Sequence, residues 1–285
     1  MSSRRPGGRP GSSRRAAVPG TPGGHTRRVR AGPPLLSAVL ERLERAGCVA
    51  PDEEAAELVE AAPDEHTLEA WVRRREQGEP PAWITGIHVF CGRPLHVDAG
   101  VFVPRHQTED LARRAAALLP AGGRALDLCT GCGAVAAHLA AEVAGATVIG
   151  VDRELAAARS ASRNGVAAVL GDLDAPVRRG AGFDLVTAVA PYVPTEDLRF
   201  LPHDVQRYEP RSALDGGRDG LDLVRRVVTA ASALLRPGGW LLVEVGGAQD
   251  VALEPALAVD GFGQVSPWRD EDDDLRGLAA QLTRW

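Results

Sequence analysis

A glycine-containing turn next to an acid is the first feature with clear chemistry. The stretch "ALDLCTGCGAV", residues 125–135, is typical of a strand, a tight turn and the start of a helix. Its turn consists of Cys129, Thr130, Gly131, Cys132 and Gly133. The two glycines can adopt positive φ and let a ligand approach the backbone. The spacing lacks the third glycine of the dinucleotide fingerprint, so the turn alone does not identify the ligand.

Three acids at the ends of successive predicted strands narrow the ligand class. Asp127 precedes the turn, where its carboxylate suits a cationic group such as an amino acid ammonium and suits a pyrophosphate poorly. Asp152 ends the next strand, where a carboxylate accepts hydrogen bonds from ribose hydroxyls. Asp172, followed by Leu173, ends the third strand and can accept from an adenine amino group. Each acid alone fits a helix cap or a turn equally well, but the three in register favour S-adenosylmethionine.

The two cysteines of the turn form a C-x-x-C, which has other meanings. Such a pair after a strand can be a redox motif or half of a zinc site. The chain contains no second C-x-x-C and no nearby His-x-His, and Cys48 and Cys91 lie in other segments. We therefore interpret both cysteines as small residues that line the turn, and we predict no metal site.

A second chemically informative stretch is "VTAVAPYVPTE", residues 186–196. Its first half is a buried strand by pattern, and this strand must stop at Pro191 because proline cannot donate to a sheet. A second proline, Pro194, follows two residues after Tyr192. This segment is either only a stiff loop or a backbone held in a fixed shape so that something can bind.

The elements that must position these residues alternate in type from Thr108 onward. Predicted helices are "TEDLARRAAALLP", "AVAAHLAAEV", "ELAAARSASRNG" and "GLDLVRRVVTAASALLRPGG". Predicted strands are "RALDL", "ATVIGVD", "AAVLGD", "FDLVTAV" and "WLLVEVG". Repeated β-α-β units predict a doubly wound, mostly parallel sheet with ligands at the carboxyl ends of its strands. The segments "FGQVSP" and "LAAQLTRW" predict a final antiparallel pair at the sheet edge.

The first third of the chain has a different organisation. Residues 1–32 are rich in Arg, Gly and Pro and are predicted to be a disordered tail, which is the one segment that could contact nucleic acid. Residues 33–80 show three short amphipathic helices, predicted to be a separate docking domain for a protein substrate. In residues 81–106 the apolar residues alternate with polar ones, which predicts a β-hairpin linker. Residues 107–285 are predicted to form the α/β domain.

Composition excludes several classes of protein. No apolar run reaches the roughly 18–20 residues of a membrane span. Four cysteines are too few for a disulfide scaffold, so we expect a reducing cytoplasm. The net charge is −5, and the eight arginines of the first 32 residues leave about −13 for the rest. That charge argues against a nucleic-acid duplex as the partner of the folded part.

Six stretches, in order, resemble one known family. They are "VFVPRHQTEDL", "ALDLCTGCGAVA", "VIGVDRELAAARSASRNG", "FDLVTAVAPYVP", "YEPRSALDGGRDGLD" and "LLRPGGWLLVEVG". Together they resemble the protein-(glutamine-N5) methyltransferases, the HemK-like enzymes. The resemblance implies a class I methyltransferase-like, seven-stranded, doubly wound sheet with a small N-terminal helical domain and a hairpin linker. It also implies S-adenosylmethionine as cofactor, and a peptide chain release factor or a ribosomal protein as substrate.

The resemblance assigns catalytic positions to the proline-containing loop. In that family the loop reads Asn-Pro-Pro-Tyr, and its Asn side chain and a backbone carbonyl hold the substrate amide. The matching residues here are Val189, Ala190, Pro191 and Tyr192. Val189 accepts no hydrogen bond, and a buried amide without its partner costs roughly 1–3 kcal/mol. Two alternatives therefore stay open, a weak or inactive cofactor-binding protein that docks a partner and an N6-adenine DNA methyltransferase, whose motif is similar.

Further residues match the family outside these two motifs. Arg105, Thr108 and Glu109 match a Pro-Arg-x-x-Thr-Glu segment that lies near the cofactor, although Thr108 could equally be a helix cap. Glu244 ends the strand "LLVEVG" beside the expected active face. The stretch from Glu209 through "LDGGRDG" is expected to close over the site.

Overall fold

The structure is a computed structural model and describes residues 33–283. The arginine-rich segment that we predict to be disordered, residues 1–32, lies outside the described residues. No helix among the described residues is long and apolar enough to cross a bilayer.

Three helices open the described chain and pack on one another. They are α1 (Pro33–Arg45), α2 (Pro51–Ala61) and α3 (Glu65–Glu76). Pro51 at the start of α2 loses no hydrogen bond, since the first N–H groups of a helix have no partner inside it. Asp64 caps α3 by accepting from the Thr67 backbone N–H at 2.7 Å. Leu43, Leu58 and Leu68 form their shared apolar core.

The linker differs in part from its prediction. Its first residues form a short helix, α4 (Pro81–Thr85), that ends at Gly86 in the left-handed conformation. The hairpin is confined to β1 (Ile87–Phe90) and β2 (Arg93–His96), which pair antiparallel. The stretch "VFVP" that follows, residues 101–104, forms no strand. Pro81 favours the helix because its fixed φ suits the first helical position.

The α/β part contains a seven-stranded sheet. Its strands in chain order are β3 (Arg124–Leu128), β4 (Thr147–Asp152), β5 (Ala167–Leu170), β6 (Phe183–Ala188), β7 (Leu235–Val243), β8 (Phe262–Arg269) and β9 (Leu275–Leu282). The spatial order is β5-β4-β3-β6-β7-β9-β8. The first five strands in that order, from β5 to β7, form four parallel pairs, and β9 pairs antiparallel with β7 and β8. The predicted parallel sheet with an antiparallel edge is confirmed.

Helices cover both faces of this sheet. They are α5 (Thr108–Leu118), α6 (Ala134–Glu142), α7 (Leu155–Arg163), α9 (Asp222–Leu234) and α10 (Gln249–Val259). A further short helix, α8 (His203–Tyr208), contacts α3 instead. Successive strand residues point to opposite faces, so Leu185 packs with α5 and α6 while Val186 packs with α9 and α10. The chain order of the strands reverses between β3 and β6, which is where ligands bind in sheets of this kind.

One prediction about the last third is wrong, and one helix there was not predicted. The helix predicted to run through "LLRPGG" ends at Leu234, and β7 begins at Leu235. Pro237 is tolerated in that strand because the register with β6 shifts between Phe183 and Leu185, so no ladder bond is needed from it. Helix α10 was not predicted, since it contains Pro255 in its interior.

Candidate active site

The glycine turn joins β3 to α6 and presents its backbone to open space. Cys129 and Gly131 both have φ of +56°. No described atom lies within 4 Å of the position that a Cβ on Gly131 would take, so this residue leaves room for a ligand. Gly133 has a different reason to be glycine. A Cβ there would lie 2.8 Å from the Cγ2 atom of Val166, so its absence lets α6 approach its neighbours.

Asp127 is buried at the end of β3 with both carboxylate oxygens in use. One accepts the Thr130 hydroxyl at 2.6 Å and the other accepts the Thr187 hydroxyl at 2.7 Å. Burial raises the pKa of Asp127 to about 6, against the opposing effect of those two hydrogen bonds. A cation held beside this carboxylate would favour its ionised form. Thr187 was missed by sequence analysis, because only the pairing of β3 with β6 places it opposite Asp127.

Asp152 at the end of β4 holds the turn in place. Its two carboxylate oxygens accept the backbone N–H groups of Gly131 and Glu154, each at 2.9 Å. Burial raises the pKa of Asp152 as well. Each carboxylate oxygen can accept a second hydrogen bond, so a pair of ribose hydroxyls can still bind here.

Asp172 and Leu173 follow β5 at the far side of the same site. The Asp172 carboxylate is half exposed and pairs with the Arg226 guanidinium at 2.7 Å. Leu173 is buried and has φ of +50°. An adenine amino group would therefore share Asp172 with an arginine, while Leu173 offers an apolar surface to the ring.

One cavity brings most of the predicted site residues together. Its lining includes Asp127, Cys129, Thr130, Gly131, Cys132, Asp152, Asp172, Leu173, Val189 and Pro191. Gly133, Ala190 and Tyr192 do not line it. The cavity offers a buried carboxylate for an ammonium, a second for ribose and an apolar slot for a base. This set of groups fits S-adenosylmethionine.

The cysteines of the turn are ordinary lining residues in this arrangement. Burial raises the thiol pKa of both Cys129 and Cys132, so both thiols are protonated at neutral pH. Thiolates are the reactive and metal-binding form of cysteine. Among residues 33–283, no group of three or more His, Cys, Asp or Glu is arranged to hold a metal.

A second cavity lies against the first, and Val189 lines both. Its lining includes Ala190 and Tyr192 of the loop, Arg105 and Gln107 ahead of α5, and Val49 from the connection between α1 and α2. The loop that the resemblance marks as catalytic thus lies between the two cavities. Phe102 and Ala213 also line both cavities, so these two residues and Val189 lie where a group in the second cavity would approach a ligand in the first.

The ring of Tyr192 is anchored through its hydroxyl. That hydroxyl donates to Glu244 Oε1 at 2.9 Å and accepts from Gln107 Nε2 at 3.0 Å. Glu244 is only 2% exposed, and its second oxygen accepts the Thr108 hydroxyl at 2.7 Å. Burial and the Glu244 charge raise the pKa of Tyr192, so the phenol is neutral. Thr108 is therefore an anchor for Glu244 and does not cap α5, whose cap residue is Gln107.

The backbone of the same tyrosine is anchored by Gln249. The Gln249 side-chain amide donates to the Tyr192 carbonyl at 2.8 Å and to the Asp219 carbonyl at 3.1 Å. A Cβ on Gly220 would overlap the Tyr192 carbonyl oxygen. The glycine-rich loop therefore packs directly on the Tyr192 backbone. Neither residue stood out in the sequence, because Gln107 occupies an unspecified position of the Pro-Arg-x-x-Thr-Glu segment and Gln249 lies outside the six stretches.

Arg105 and Glu209 form a partly buried pair at the second cavity, with 2.7 Å between Arg105 NH2 and Glu209 Oε1. Desolvation raises the pKa of Glu209, against the pull of Arg105. The Arg105 guanidinium also lies over the Phe102 ring at 4.7 Å. Glu109 has a different function, since its carboxylate accepts the Cys91 backbone N–H at 2.9 Å and so holds the hairpin.

The N-terminal helices are fixed to the rim of the second cavity by a buried arginine. Arg75 of α3 is 3% exposed and pairs with Glu54 at 2.6 Å and with Asp204 of α8 at 3.0 Å. The Tyr208 hydroxyl donates to the Gln77 carbonyl at 3.0 Å. These contacts place Val49 at the mouth of the second cavity.

The fold and the cofactor cavity define a class I methyltransferase. No family model matches the chain. A release factor glutamine methyltransferase from Geobacter sulfurreducens is 40% identical over 197 residues, which are 67% of this chain and 69% of that protein. One from Vibrio cholerae is 34% identical over 263 residues, 82% of this chain and 91% of that protein. A release factor-specific glutamine methyltransferase structure from Alicyclobacillus acidocaldarius is 25% identical with a TM-score of 0.42, and covers 64% of this chain and 95% of its own.

The chain belongs to the release factor glutamine methyltransferase family. The resemblance identified from the six sequence stretches is confirmed, and so is the class I fold. S-adenosylmethionine is the cofactor that this family membership and the cavity support.

Proposed function

We propose that this protein transfers a methyl group from S-adenosylmethionine to the side-chain nitrogen of a glutamine in a peptide chain release factor. The observation that carries the proposal is the position of the loop from Val189 to Tyr192 between two adjoining cavities. The first cavity carries the acids that suit the cofactor. The second is open to a side chain that enters past Val49. The names of the curated relatives support the choice of glutamine and of release factors.

The chemistry places a strong demand on positioning. An amide nitrogen is a poor nucleophile, because its lone pair is delocalised into the carbonyl. In the transfer, the nitrogen forms a bond to the methyl carbon while the bond from that carbon to sulfur breaks and leaves the neutral thioether, and the proton that the nitrogen loses passes to solvent water. The cofactor supplies the electrophilic methyl group. The protein contributes mainly orientation, which can supply roughly 7–11 kcal/mol of the barrier in well-aligned reactions.

Each part of the site has a role in that orientation. Asp127 holds the ammonium end of the cofactor, and Asp152 holds its ribose. The Ala190 carbonyl accepts from the substrate amide, and the Tyr192 ring packs on the amide face. Glu244 and Gln249 fix this tyrosine from its two ends.

The N-terminal helices dock the protein substrate in this proposal. Val49 lies at the mouth of the second cavity and its side chain is exposed, so a bound protein would contact it. The Arg75 pairs hold these helices in a fixed position relative to the loop. A release factor substrate also places the reaction in the cytoplasm.

A weak or inactive cofactor-binding protein is the second candidate, and Val189 favours it. This residue lines both cavities and offers no acceptor where the related loops have Asn. An N6-adenine DNA methyltransferase is less well supported, because the strongly acidic folded part repels a duplex.

Methyl incorporation distinguishes these candidates. The protein is incubated with labelled S-adenosylmethionine and a release factor whose Gly-Gly-Gln glutamine is intact, and the labelled residue is mapped by mass spectrometry. A matched release factor with Asn in place of that Gln is the control. We expect label on the Gln and none on the Asn control. Cofactor binding without any label on protein would support the second candidate.

A further inference from the structure

Ala190 has backbone polar groups that no described residue satisfies. Among residues 33–283, neither the N–H nor the carbonyl of Ala190 takes part in a hydrogen bond, although the residue is only 2% exposed. The nearest paired carbonyls of this segment lie two residues away on either side, since the Ala188 carbonyl accepts from the Glu244 N–H at 3.2 Å and the Tyr192 carbonyl accepts from Gln249. Buried backbone groups are nearly always paired in folded proteins. Because Ala190 lines the second cavity, a ligand in that cavity can satisfy both groups.

The position of Ala190 before Pro191 determines how those groups point. A residue that precedes proline is restricted to extended backbone conformations. In extended backbone, the N–H and the carbonyl of one residue point to the same side, which is why facing residues of antiparallel strands exchange two hydrogen bonds. A primary amide also presents a carbonyl oxygen and an N–H side by side. Ala190 and a glutamine side chain therefore have complementary donor and acceptor pairs.

We propose that Ala190 is a positioning residue that holds the substrate amide through both of its backbone groups. Its N–H donates to the amide oxygen, and its carbonyl accepts from the amide nitrogen. This inference rests on the proposed function. It concerns a contact that the Asn-Pro-Pro-Tyr loop cannot make, since the proline at this position has no N–H.

The two departures from the Asn-Pro-Pro-Tyr loop are then connected. Val189 removes a side-chain acceptor, and Ala190 adds a backbone donor next to it. The amide keeps two hydrogen bonds to the loop, but the second one goes to its oxygen. An added hydrogen bond to the amide oxygen also fixes the rotation of the amide plane. That rotation determines where the nitrogen lone pair points.

A double-mutant cycle tests this connection. Ala190→Pro removes the N–H and keeps the carbonyl. The change suits this position, because the Asn-Pro-Pro-Tyr loop has a proline here. In the natural protein we expect it to lower kcat/KM for release factor methylation about 10-fold. In the Val189→Asn background we expect it to change kcat/KM less than about twofold, because the Asn side chain then holds the amide. Ala190→Gly keeps both the N–H and the carbonyl, so the loss on Ala190→Pro beyond that on Ala190→Gly measures the contribution of the N–H.

Two outcomes would overturn the inference. One is an equal loss on Ala190→Pro in both backgrounds, which indicates a backbone distortion. The other is no loss in the natural background. Cofactor affinity, measured by calorimetry on every variant, should stay unchanged.

Failure of the proposed function is detected separately, by binding of a Gly-Gly-Gln peptide in the presence of S-adenosylhomocysteine. If no variant methylates but the peptide binds, and Ala190→Pro weakens that binding more than Ala190→Gly does, the contact stands and catalysis is absent. Peptide binding that Ala190→Pro leaves unchanged contradicts the inference, and so does an absence of peptide binding to the natural protein.

Discussion

The Tyr192 hydroxyl donates to the Glu244 carboxylate at 2.9 Å, across 52 residues of sequence. Glu244 follows β7 and Tyr192 belongs to the loop after β6, so this bond links the ends of two adjacent strands. Two further donors, Gln107 and Thr108, reach the same carboxylate. The buried Glu244 carboxylate thus accepts from three donors, and this network holds the Tyr192 ring in place at the second cavity.

Glu244→Gln should lower methylation without weakening cofactor binding. The Gln side chain has the same shape, but its NH₂ group faces a hydroxyl donor and cannot accept from it. Hydrogen bonds to charged groups are worth roughly 1.5–3 kcal/mol, so we expect kcat to fall about 10-fold or more. Tyr192→Phe is the matched variant. If Glu244 acts through Tyr192, the double variant should be no worse than the poorer single one, and fully additive losses would contradict this role.

Cofactor affinity should rise with pH through about 6 because of Asp127. The folded-state pKa of this carboxyl is raised above its usual value, so the unliganded protein takes up a proton as the pH falls through about 6. A bound ammonium needs the ionised form, so affinity should fall by up to about tenfold per pH unit below 6. Calorimetry from pH 5 to 8 measures this.

The corresponding control is Asp127→Asn, which should bind weakly at every pH and show a flatter profile. The stability change has the opposite sign. Burial of the ionised Asp127 carboxylate is unfavourable above pH 6. That cost is relieved as the pH falls from 6 toward the pKa that this carboxyl has in the unfolded chain. The free energy of unfolding should therefore depend less on pH between 4 and 6 in the Asn variant. If Asp127→Asn leaves the pH dependence of cofactor affinity unchanged, a group other than Asp127 causes that dependence.

Asp152→Ala should weaken S-adenosylmethionine binding strongly. It removes the acceptor for the Gly131 N–H and, with it, the proposed acceptor for ribose. Each such bond is worth roughly 1.5–3 kcal/mol, so we expect a loss of affinity of about 10- to 150-fold or more. Asp172→Ala is the comparison, since Asp172 is half exposed and already paired with Arg226. Equal losses of affinity on Asp152→Ala and Asp172→Ala would contradict the prediction that Asp152 contributes more to cofactor binding than Asp172.

Val189→Asn should raise methylation of a release factor glutamine. The two side chains are close in volume, and Asn restores a side-chain acceptor between the cavities. One acceptor of roughly 1.5–3 kcal/mol corresponds to about a 10- to 150-fold gain if the contact forms fully only in the transition state. Val189→Ala opens space without adding an acceptor and is the control. Strong natural activity that falls on Val189→Asn would mean that Val189 belongs to a less polar substrate pocket.

Arg75→Ala should destabilise the N-terminal helices and lower methylation of a whole release factor. Removal of the buried guanidinium leaves Glu54, whose side chain is 15% exposed, without its partner, and breaking a buried pair costs up to roughly 3–5 kcal/mol. Thermal unfolding followed by calorimetry measures the loss. Arg73→Ala, on the exposed side of the same helix, should change stability by less than about 1 kcal/mol. Cofactor affinity should be unaffected by either change, and a large drop in it for Arg75→Ala would assign the N-terminal helices to the cofactor site.

The sequence by itself determined the alternating α/β order and indicated that Asp127, Asp152 and Asp172 meet, as they do in the lining of one cavity. Both follow from local physics, because periods of 2 and 3.6 residues distinguish strands from helices and because acids at strand ends meet at one edge of a parallel sheet. It did not determine helix α10, whose interior Pro255 argues against a helix. Packing of Leu253 and Leu257 on the sheet outweighs that local cost.

Only the tertiary structure decided which groups contact the principal site residues. Thr187 meets Asp127 through the register of β3 and β6, and Gln107 meets Tyr192 across 85 residues of sequence. Such partners carry no local pattern, since a lone Thr or Gln fits many environments. The unpaired backbone of Ala190 is likewise invisible in the sequence, because pairing depends on what the fold brings near. Residue types therefore indicated the chemistry, and the packing of strand ends and loops determined its geometry.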